Sequence, residues 1–170
     1  MAKILTPEFR ISFPSLFEPN EFKGTLSYQC SMMFDKNKTG IDWLRSQMSA
    51  VMRDKWPQGP PEGWHDPITD GDLTGRGPGC WVIRAKSKNR PEVVDKNVKA
   101  IIDPSEIYAG CYCRASIDLW AYDSQGTSGV SVMLRNVQKL REGDRLGGGS
   151  TADQDFDPVY VAGTEYKHEG

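Results

Sequence analysis

The sequence predicts a mainly β fold with one α-helix and long loops. Three observations predict this class: about five segments alternate between apolar and polar residues, one segment has the spacing of a helix, and the connections are rich in proline and glycine. Five strands with a helix inserted between the early and the late ones suggest an OB-like barrel, closed or partly open. A small β-sandwich is the competing architecture.

The first two strands are predicted near the N-terminus. The segment EFRISF places Phe9, Ile11 and Phe13 on one face of an extended chain. A loop is expected over residues 15–24, and the stronger strand TLSYQCSMMF follows over residues 25–34. The large apolar residues of this second strand lie at every second position and so share one face, which is typical of a half-buried strand.

A helix is predicted from Ile41 to Trp56. Its apolar residues form one helical stripe: Ile41, Leu44, Met48, Val51 and Met52. Pro57 ends the helix because proline cannot continue it. The segment Pro57–Gly79 is so rich in proline and glycine that we expect a long loop without regular structure, and such loops are usually functional or mobile.

Three further segments complete the predicted strands. A strand is predicted at CWVIRAKSK, where the side chains alternate between two faces. An extended linker with a short strand or turn follows at RPEVVDKNVKAIIDPSEI. The strand Cys111–Tyr122 comes next, a hairpin forms at DSQGTSG, and VSVMLRNVQKL returns with its aliphatic residues inward. We expect one folded domain over residues 1–149 and a flexible acidic tail over residues 150–170.

The composition is that of a globular protein, with 38% hydrophobic and 26% charged residues. No apolar run is long enough to span a membrane. The N-terminus MAKILTPEFR lacks the apolar core of a secretory signal. We therefore expect a cytoplasmic protein that does not bind a membrane.

The four cysteines are predicted to be buried, reduced thiols. They are Cys30, Cys80, Cys111 and Cys113. No two of them have the Cys-x-x-Cys spacing of a zinc or redox site, and His65 and His168 are the only histidines available as further ligands. The chain also contains no G-x-S-x-G motif and no P-loop. We therefore predict no enzymatic activity, no cofactor and no metal site.

The net charge of −2 conceals an uneven distribution. Residues 151–170 contain five acidic residues and one lysine, a net charge of −4, so residues 1–150 have a net charge of +2. A nearly neutral body with an acidic tail permits nucleic-acid binding without requiring it. The charge alone therefore does not identify a partner.

The strand after the linker has an unusual distribution of side chains. Its small and aliphatic residues share one face, whereas Tyr112, Trp120 and Tyr122 share the other face with Arg114. Aromatic rings stack on unpaired bases while basic residues contact phosphates, so an open face of this kind suits single-stranded nucleic acid. The alternative is that the helix or a loop covers this face, so that the aromatic residues form a second core layer. Arg114 and Asp118 favour the open face, because both charges would be costly to bury.

A row of basic residues gives a second indication. Four of them alternate along IRAKSKNRPE and would project from one side of an extended chain: Arg84, Lys86, Lys88 and Arg90. Such a row suits a polyanion, although a solvated edge strand protected by charge is the alternative. Arg135, with Lys139 and Arg141, extends the basic character along the returning strand.

Five stretches span most of residues 9–149: RISFPSLFEP, ITDGD, RPEVVD, IYAGCYCRASIDLWAYD and GVSVMLRNVQKLREGDRLGGG. In this order they resemble a family of tailed-phage single-stranded-DNA-binding proteins. Members of that family are OB-fold proteins that coat single-stranded DNA during phage replication and recombination, often with an acidic C-terminal tail that recruits partners. The resemblance implies the same fold and the same role here.

The resemblance extends to site residues only on the matched strand. There it implies DNA contacts by Tyr112, Arg114 and Tyr122. We add Trp120, because it lies on the same face of the strand as these three residues. The tail departs from the family pattern, because it ends in EYKHEG and not in an acidic run closed by an aromatic residue. Phage or host replication proteins are the expected partners of the tail, through Asp153, Asp155, Phe156 and Asp157.

We therefore predict a non-enzymatic protein of the host-cell cytoplasm that binds single-stranded DNA without strong sequence preference. The predicted stacking residues are Tyr112, Trp120 and Tyr122. The predicted phosphate contacts are Arg84, Lys86, Lys88, Arg90, Arg114 and Arg135. Two alternatives stay open: a protein–protein module of the phage replication machinery that uses the same aromatic face, and a divergent metal-dependent nuclease.

Overall fold

The computed structural model describes residues 3–146 and 156–159. Within these residues the strands are β1 (Ile4–Leu5), β2 (Phe9–Phe22), β3 (Thr25–Asp35), β4 (Ile68–Asp70), β5 (Cys80–Ser87), β6 (Glu92–Val94), β7 (Tyr112–Ser124) and β8 (Thr127–Arg141). The helices are α1 (Asp42–Lys55), α2 (Gly71–Thr74) and a 3-10 turn at Pro104–Glu106. None of the described helices is both long enough and apolar enough to cross a membrane.

Five of the strands pair in a closed cycle. Around it, β7 pairs with β2, β2 with β3, β3 with β5, β5 with β8, and β8 again with β7. These pairings are antiparallel except the one between β5 and β8, which joins Lys86 to Met133. The short strands β1, β4 and β6 pair with β7, β5 and β8. The cycle, with one long helix between β3 and β5, confirms the predicted mainly β, OB-like fold class.

The small and aliphatic face of β7 forms part of the core. Its buried residues are Cys111, which directly precedes the strand, Cys113, Ala115, Ile117, Leu119 and Ala121. The other strands contribute Ile11, Met32 and Ile83, which are fully buried, and the aliphatic residues of β8 point inward as predicted. Small side chains on β7 let the strands of a narrow cycle pack closely.

All four cysteines are reduced thiols, as predicted. Three of them are buried, but Cys80, at the start of β5, is only half-buried, so the prediction of burial was wrong there. Burial raises the pKa of the Cys30 thiol to about 12, which keeps that thiol protonated. Among the described residues, no group of three or more His, Cys, Asp or Glu side chains is arranged to hold a metal ion.

The helix α1 packs its apolar stripe against the core. Leu44 and Met48 are buried on this stripe. The Phe34 ring lies edge-on between Phe9 and Trp43, with centroid distances of 5.6 Å and 5.5 Å. The helical spacing in the sequence therefore predicted this element to within one residue at each end.

The loop expected over residues 15–24 is not observed, because β2 continues to Phe22. Most side chains beyond Leu16 are exposed, so no apolar alternation marks this part of the strand, which is held by backbone pairing with β3. Lys23 and Gly24 join the two strands with φ angles of 50° and 79°, as in the tight turns that favour hairpins. The strand was missed because pairing, and not burial, defines it.

Regular structure also interrupts Pro57–Gly79, where we predicted none. Ile68 is buried and pairs with Ile83, so that β4 forms beside β5. The Asp70 carboxylate then accepts the backbone N–H of Asp72 at 2.9 Å and caps α2. One apolar residue and one cap among prolines and glycines produce no detectable periodicity, which explains the wrong prediction.

Candidate nucleic-acid interface

A groove of about 1920 Å³ lies on the outer face of the strand cycle, bordered by β2, β3, β5, β7, β8 and the loop 74–79 that follows α2. Directly paired residues of antiparallel strands point to the same face, so the register shows which side chains the groove collects. Tyr112 is opposite Arg10, Arg10 is opposite Met33, and Met33 is opposite Val82. The next row along this face is Ser12, Ser31 and Arg84.

The groove carries an excess of positive charge. Six basic residues line it, against the two acidic residues Glu8 and Asp35. The basic residues are Arg10, Lys38, Arg76, Arg84, Lys86 and Arg141. Within the described part of the chain, Arg76, Arg84 and Lys86 form no ion pair. Cations without a protein partner in one groove suit a polyanionic ligand.

Two arginines surround Tyr112 where β2 meets β7. The Arg141 guanidinium lies 3.7 Å from the centroid of the Tyr112 ring, and the Arg10 guanidinium lies 5.8 Å from it. Arg141 also pairs with Glu8 at 2.7 Å, and Arg10 donates to the Gly110 carbonyl at 3.0 Å. The two cations are therefore fixed beside the ring, and a guanidinium already occupies one face of it.

Trp120 and Tyr122 lie towards the opposite end of β7. Tyr122 lines the groove together with Ser131, whereas Trp120 lies just outside the lining and is 55% exposed. Their ring centroids are 6.1 Å apart, so the two rings form one aromatic surface beside the groove. Of the described residues that line the groove, none belongs to α1. The helix α1 therefore does not cover the rings of Trp120 and Tyr122 as a second core layer would require.

The middle of the same face of β7 is covered, which corrects one prediction. Asp118, which we expected to mark an open face, is only 5% exposed, and Ser116 is 9% exposed. The Asp118 carboxylate pairs with the Arg135 guanidinium at 3.0 Å. Arg135 is the extra residue of a bulge in β8, and this bulge brings the cation to the buried carboxylate. Pairing with Arg135 offsets the cost of burying Asp118.

The predicted row of four cations is broken at the end of β5. Arg84 and Lys86 lie within the strand and line the groove, but the strand ends at Ser87. Lys88 and Arg90 follow it in an irregular segment and are not part of the groove lining. The prediction that all four project from one side was wrong, because alternation persists only while the chain stays extended and paired.

Arg90 and Arg114 have partners within the protein. The Arg90 guanidinium lies 5.9 Å from the centroid of the Phe17 ring, a cation–π contact. Arg114 donates to the Gln138 side-chain oxygen at 2.6 Å, and the Gln138 amide donates to the Asp95 carbonyl at 3.2 Å. Both arginines are exposed but lie outside the groove lining.

An ion-pair cluster fastens the loop 74–79 to the outer face. The Lys36 ammonium lies 2.6 Å from the Asp70 carboxylate and 2.9 Å from the Asp72 carboxylate. The second oxygen of Asp72 accepts the backbone N–H of Gly79 at 2.7 Å. Hydrogen bonds from Lys36 lower the pKa of both carboxyl groups, and the same bonds raise the pKa of Lys36. The cluster therefore stays charged and paired around neutral pH.

Gly77 lets this loop lie directly on the strands. Its φ angle is 110°, and a Cβ atom added there would lie 2.9 Å from Val82 and 3.3 Å from Met33. The backbone of the loop thus touches the floor of the groove, and the preceding residue, Arg76, joins the groove lining.

Sequence reasoning missed several residues that line the groove. Phe13, grouped with Phe9 and Ile11 on one face, is 71% exposed and lines the groove instead. Arg10 could have been found, because it alternates with the two buried residues beside it. Arg76 has a weaker signal, a single cation between two glycines in the motif GRG.

Only part of the predicted partner site in the tail can be located. Asp153 and Asp155 lie outside the described residues. Phe156 and Asp157 are described, and both are exposed. The predicted boundary between a domain over 1–149 and a tail over 150–170 also falls outside the described residues.

Three known proteins that resemble this chain come from bacteriophages. A curated relative, putative protein p50 of Acyrthosiphon pisum secondary endosymbiont phage 1, is 31% identical over 179 residues, which cover 96% of this chain and 97% of the relative. The structure of the single-stranded DNA-binding protein from bacteriophage Enc34 in complex with ssDNA is similar, with a TM-score of 0.76 and 23% identity over 85% of this chain and 89% of that chain. The structure of gp2.5, a single-stranded DNA binding protein encoded by bacteriophage T7, has a TM-score of 0.67 and 13% identity over 85% of this chain and 94% of that chain.

The two solved structures share the fold of this chain. The family itself is shown by a family model, the ssDNA-binding protein of Enterobacter phage Enc34, which matches residues 2–167. It describes a DNA-binding protein and not an enzyme, in agreement with the prediction from the sequence. The chain belongs to the family of the Enterobacter phage Enc34 single-stranded-DNA-binding protein.

Proposed function

We propose that this protein binds single-stranded DNA without strong sequence preference and coats it during phage replication and recombination. The observation that carries the proposal is the groove in which six basic residues and the rings of Tyr112 and Tyr122 line one surface. The family to which the chain belongs supplies the class of ligand. A protein with this role would act in the host-cell cytoplasm.

The size of the groove fits a polymer better than a small molecule. Its volume of about 1920 Å³ exceeds the roughly 300–1,000 Å³ that is typical of small-molecule pockets. Arg84 and Lys86 on β5, which form no ion pair with other described residues, would contact successive phosphates, while Tyr122 and the adjoining Trp120 would stack on bases. Stacking is tolerant of base identity, because every base has a π-face, which supports binding without strong sequence preference.

Tyr112 contributes together with Arg141. One face of its ring is occupied by the guanidinium at 3.7 Å, so a base can stack only on the other face. Lys88, Arg90, Arg114 and Arg135 complete the proposed set of phosphate contacts, although they lie outside the groove lining. For Arg114 and Arg135, contact with DNA would require them to leave or share their partners within the chain.

The acidic tail is the proposed site for protein partners. We assign this role to residues 150–170, and within them to the aspartates that flank Phe156, which include Asp157. An exposed phenyl ring beside carboxylates offers a partner both an apolar anchor and a charge. Phage or host replication proteins with a basic, apolar cleft fit this chemistry.

A fluorescence titration tests the proposed function. The intrinsic tryptophan signal is followed while oligo-dT or a duplex of equal length is added, and each titration is repeated at several salt concentrations. We expect quenching by the single strand, tighter binding to it than to duplex, and a log–log salt slope of about −0.7 per phosphate neutralised. Equal affinity for duplex would contradict the stacking model. A salt slope near zero would favour the alternative of a protein–protein module.

A further inference from the structure

Phe13 has a backbone conformation that aromatic residues rarely adopt. Its φ angle is 46°, in the left-handed region that favours glycine, and for a bulky side chain this conformation is an outlier. The pairing of β2 with β3 shifts register between Ser12 and Ser15, so Phe13 lies in an irregular part of the strand. Residues held in such conformations cluster at ligand-binding sites.

The irregularity turns the Phe13 ring out of the core. Phe9 and Ile11, earlier on the same strand, are 1% and 0% exposed, whereas Phe13 is 71% exposed. A ring that remains this exposed contributes little apolar burial to the stability of the fold. Packing therefore does not explain why a phenyl ring occupies this position.

The surroundings of Phe13 are basic and concave. Phe13 lines the main groove, and it also lines a second recess of about 380 Å³ beside that groove. The two recesses share Arg76 and Arg84 as well as Phe13. Neither arginine forms an ion pair within the described residues. An exposed aromatic ring thus lies where two available cations meet.

We propose that Phe13 is a base-stacking residue of the groove. An unpaired nucleobase lies on its ring, and the phosphates on either side of that base contact Arg76 and Arg84. This inference rests on the proposed function and adds to it a stacking position on β2, separate from the rings on β7. Rings on β2 and β7 would let a single strand cross the outer face with bases held on both sides of the basic floor.

The experiment compares Phe13→Ala with Phe22→Ala. Phe22 is the matched control, because it is on the same strand and is 68% exposed but does not line the groove. Both variants are titrated with oligo-dT and with an abasic oligonucleotide of equal length. We expect Phe13→Ala to weaken oligo-dT binding about 5- to 150-fold, the range for loss of one stacked base, and Phe22→Ala to change it less than about twofold. Binding of the abasic strand should be unchanged in both variants.

Phe13→Gly separates the role of the ring from the role of the backbone. Glycine removes the ring as alanine does, but it adopts a positive φ without strain, so Phe13→Gly should melt at a higher temperature than Phe13→Ala. We expect the two variants to bind oligo-dT equally weakly despite this difference in stability. Affinity that follows the melting temperature would overturn the inference, as would equal losses in Phe13→Ala and Phe22→Ala. If wild-type protein fails to bind oligo-dT, the proposed function itself is wrong.

Discussion

Arg84 and Lys86 differ from Lys88 and Arg90 in their surroundings, although all four side chains are exposed and lie in one short segment. The first pair lies on β5 and lines the groove. The second pair lies beyond Ser87, outside the groove lining, and Arg90 contacts the Phe17 ring. Basic residues alternating in a sequence therefore do not form one surface unless a neighbouring strand keeps the chain extended.

The same difference separates other cations of the protein. Arg135 is paired with the buried Asp118, and Arg114 is hydrogen bonded to Gln138, so both would have to leave or share a partner in order to contact DNA. Arg76 and Arg84 have no such partner among the described residues and point into recesses. A cation that the fold leaves unpaired in a concavity is available to a ligand without first breaking a contact.

The largest expected effect on DNA affinity comes from removing Arg84 and Lys86, the two basic residues of β5 that line the groove. The double variant Arg84→Ala/Lys86→Ala should weaken oligo-dT binding about 10- to 100-fold at low salt, because two charge-assisted phosphate contacts are lost. Its log–log salt slope should become shallower by about 1.4, twice the contribution of one phosphate in a single strand. Titrations between low and moderate salt measure both quantities.

The control for this prediction is Lys88→Ala/Arg90→Ala, which removes the same two charges from the same segment. We expect less than about a threefold loss of affinity, because Lys88 and Arg90 lie outside the groove lining and would contact phosphates only beyond it, where solvent and salt screen the interaction. Equal losses in the two double variants would show that the groove has no special role in phosphate binding.

An intermediate effect is expected when the acidic tail is deleted. The tail has a net charge of −4, and we expect it to compete with DNA for Arg84 and Lys86, which form no ion pair with any described residue. Deletion of residues 151–170 should raise affinity for oligo-dT about three- to tenfold at low salt, and the gain should disappear at high salt. The gain should persist in Lys88→Ala/Arg90→Ala and be absent in Arg84→Ala/Lys86→Ala. An unchanged affinity after deletion would contradict competition.

The fold was largely predictable because periodicity reports burial. The alternation of β7 and β8 and the stripe of α1 predicted those elements to within three residues at each end, with the largest difference at the start of β8. The second half of β2 and the short strand β4 were missed. The first is held by hydrogen bonds along an exposed hairpin and the second by one buried residue, Ile68, and neither produces a periodic pattern.

The candidate site was predictable only in part. The alternation of side chains along the strand placed Tyr112 and Tyr122 on the outer face, and the structure brings both to the groove. Alternation alone could not show that Asp118 is covered, because its partner Arg135 is brought to it by a bulge in the neighbouring strand β8. It also misplaced Phe13, where the left-handed backbone reverses the expected direction of the side chain. Local irregularities of this kind depend on pairing and leave no trace in the alternation.

The smallest expected effect concerns the loop that carries Arg76. Asp72→Ala removes the contacts of the Asp72 carboxylate to Lys36 and to the Gly79 backbone, so the loop must be ordered when DNA binds. At neutral pH we expect oligo-dT affinity to fall about two- to threefold, in keeping with the modest strength of exposed ion pairs. Asp72→Asn is the matched control, because its amide oxygen can still accept the Gly79 N–H.

The pH dependence of thermal stability tests whether the charge of Asp72 fastens the loop. The pKa of Asp72 is lower in the folded protein than its ordinary value, so the contribution of its carboxylate to stability is fully present above that ordinary value, about 4. It is lost as the pH falls through the lowered pKa. Thermal melts of wild type and Asp72→Ala should therefore differ by a constant amount around neutral pH, and the difference should shrink in acid as the pH falls through the lowered pKa. A difference that persists in acid would show that the charge of Asp72 does not fasten the loop.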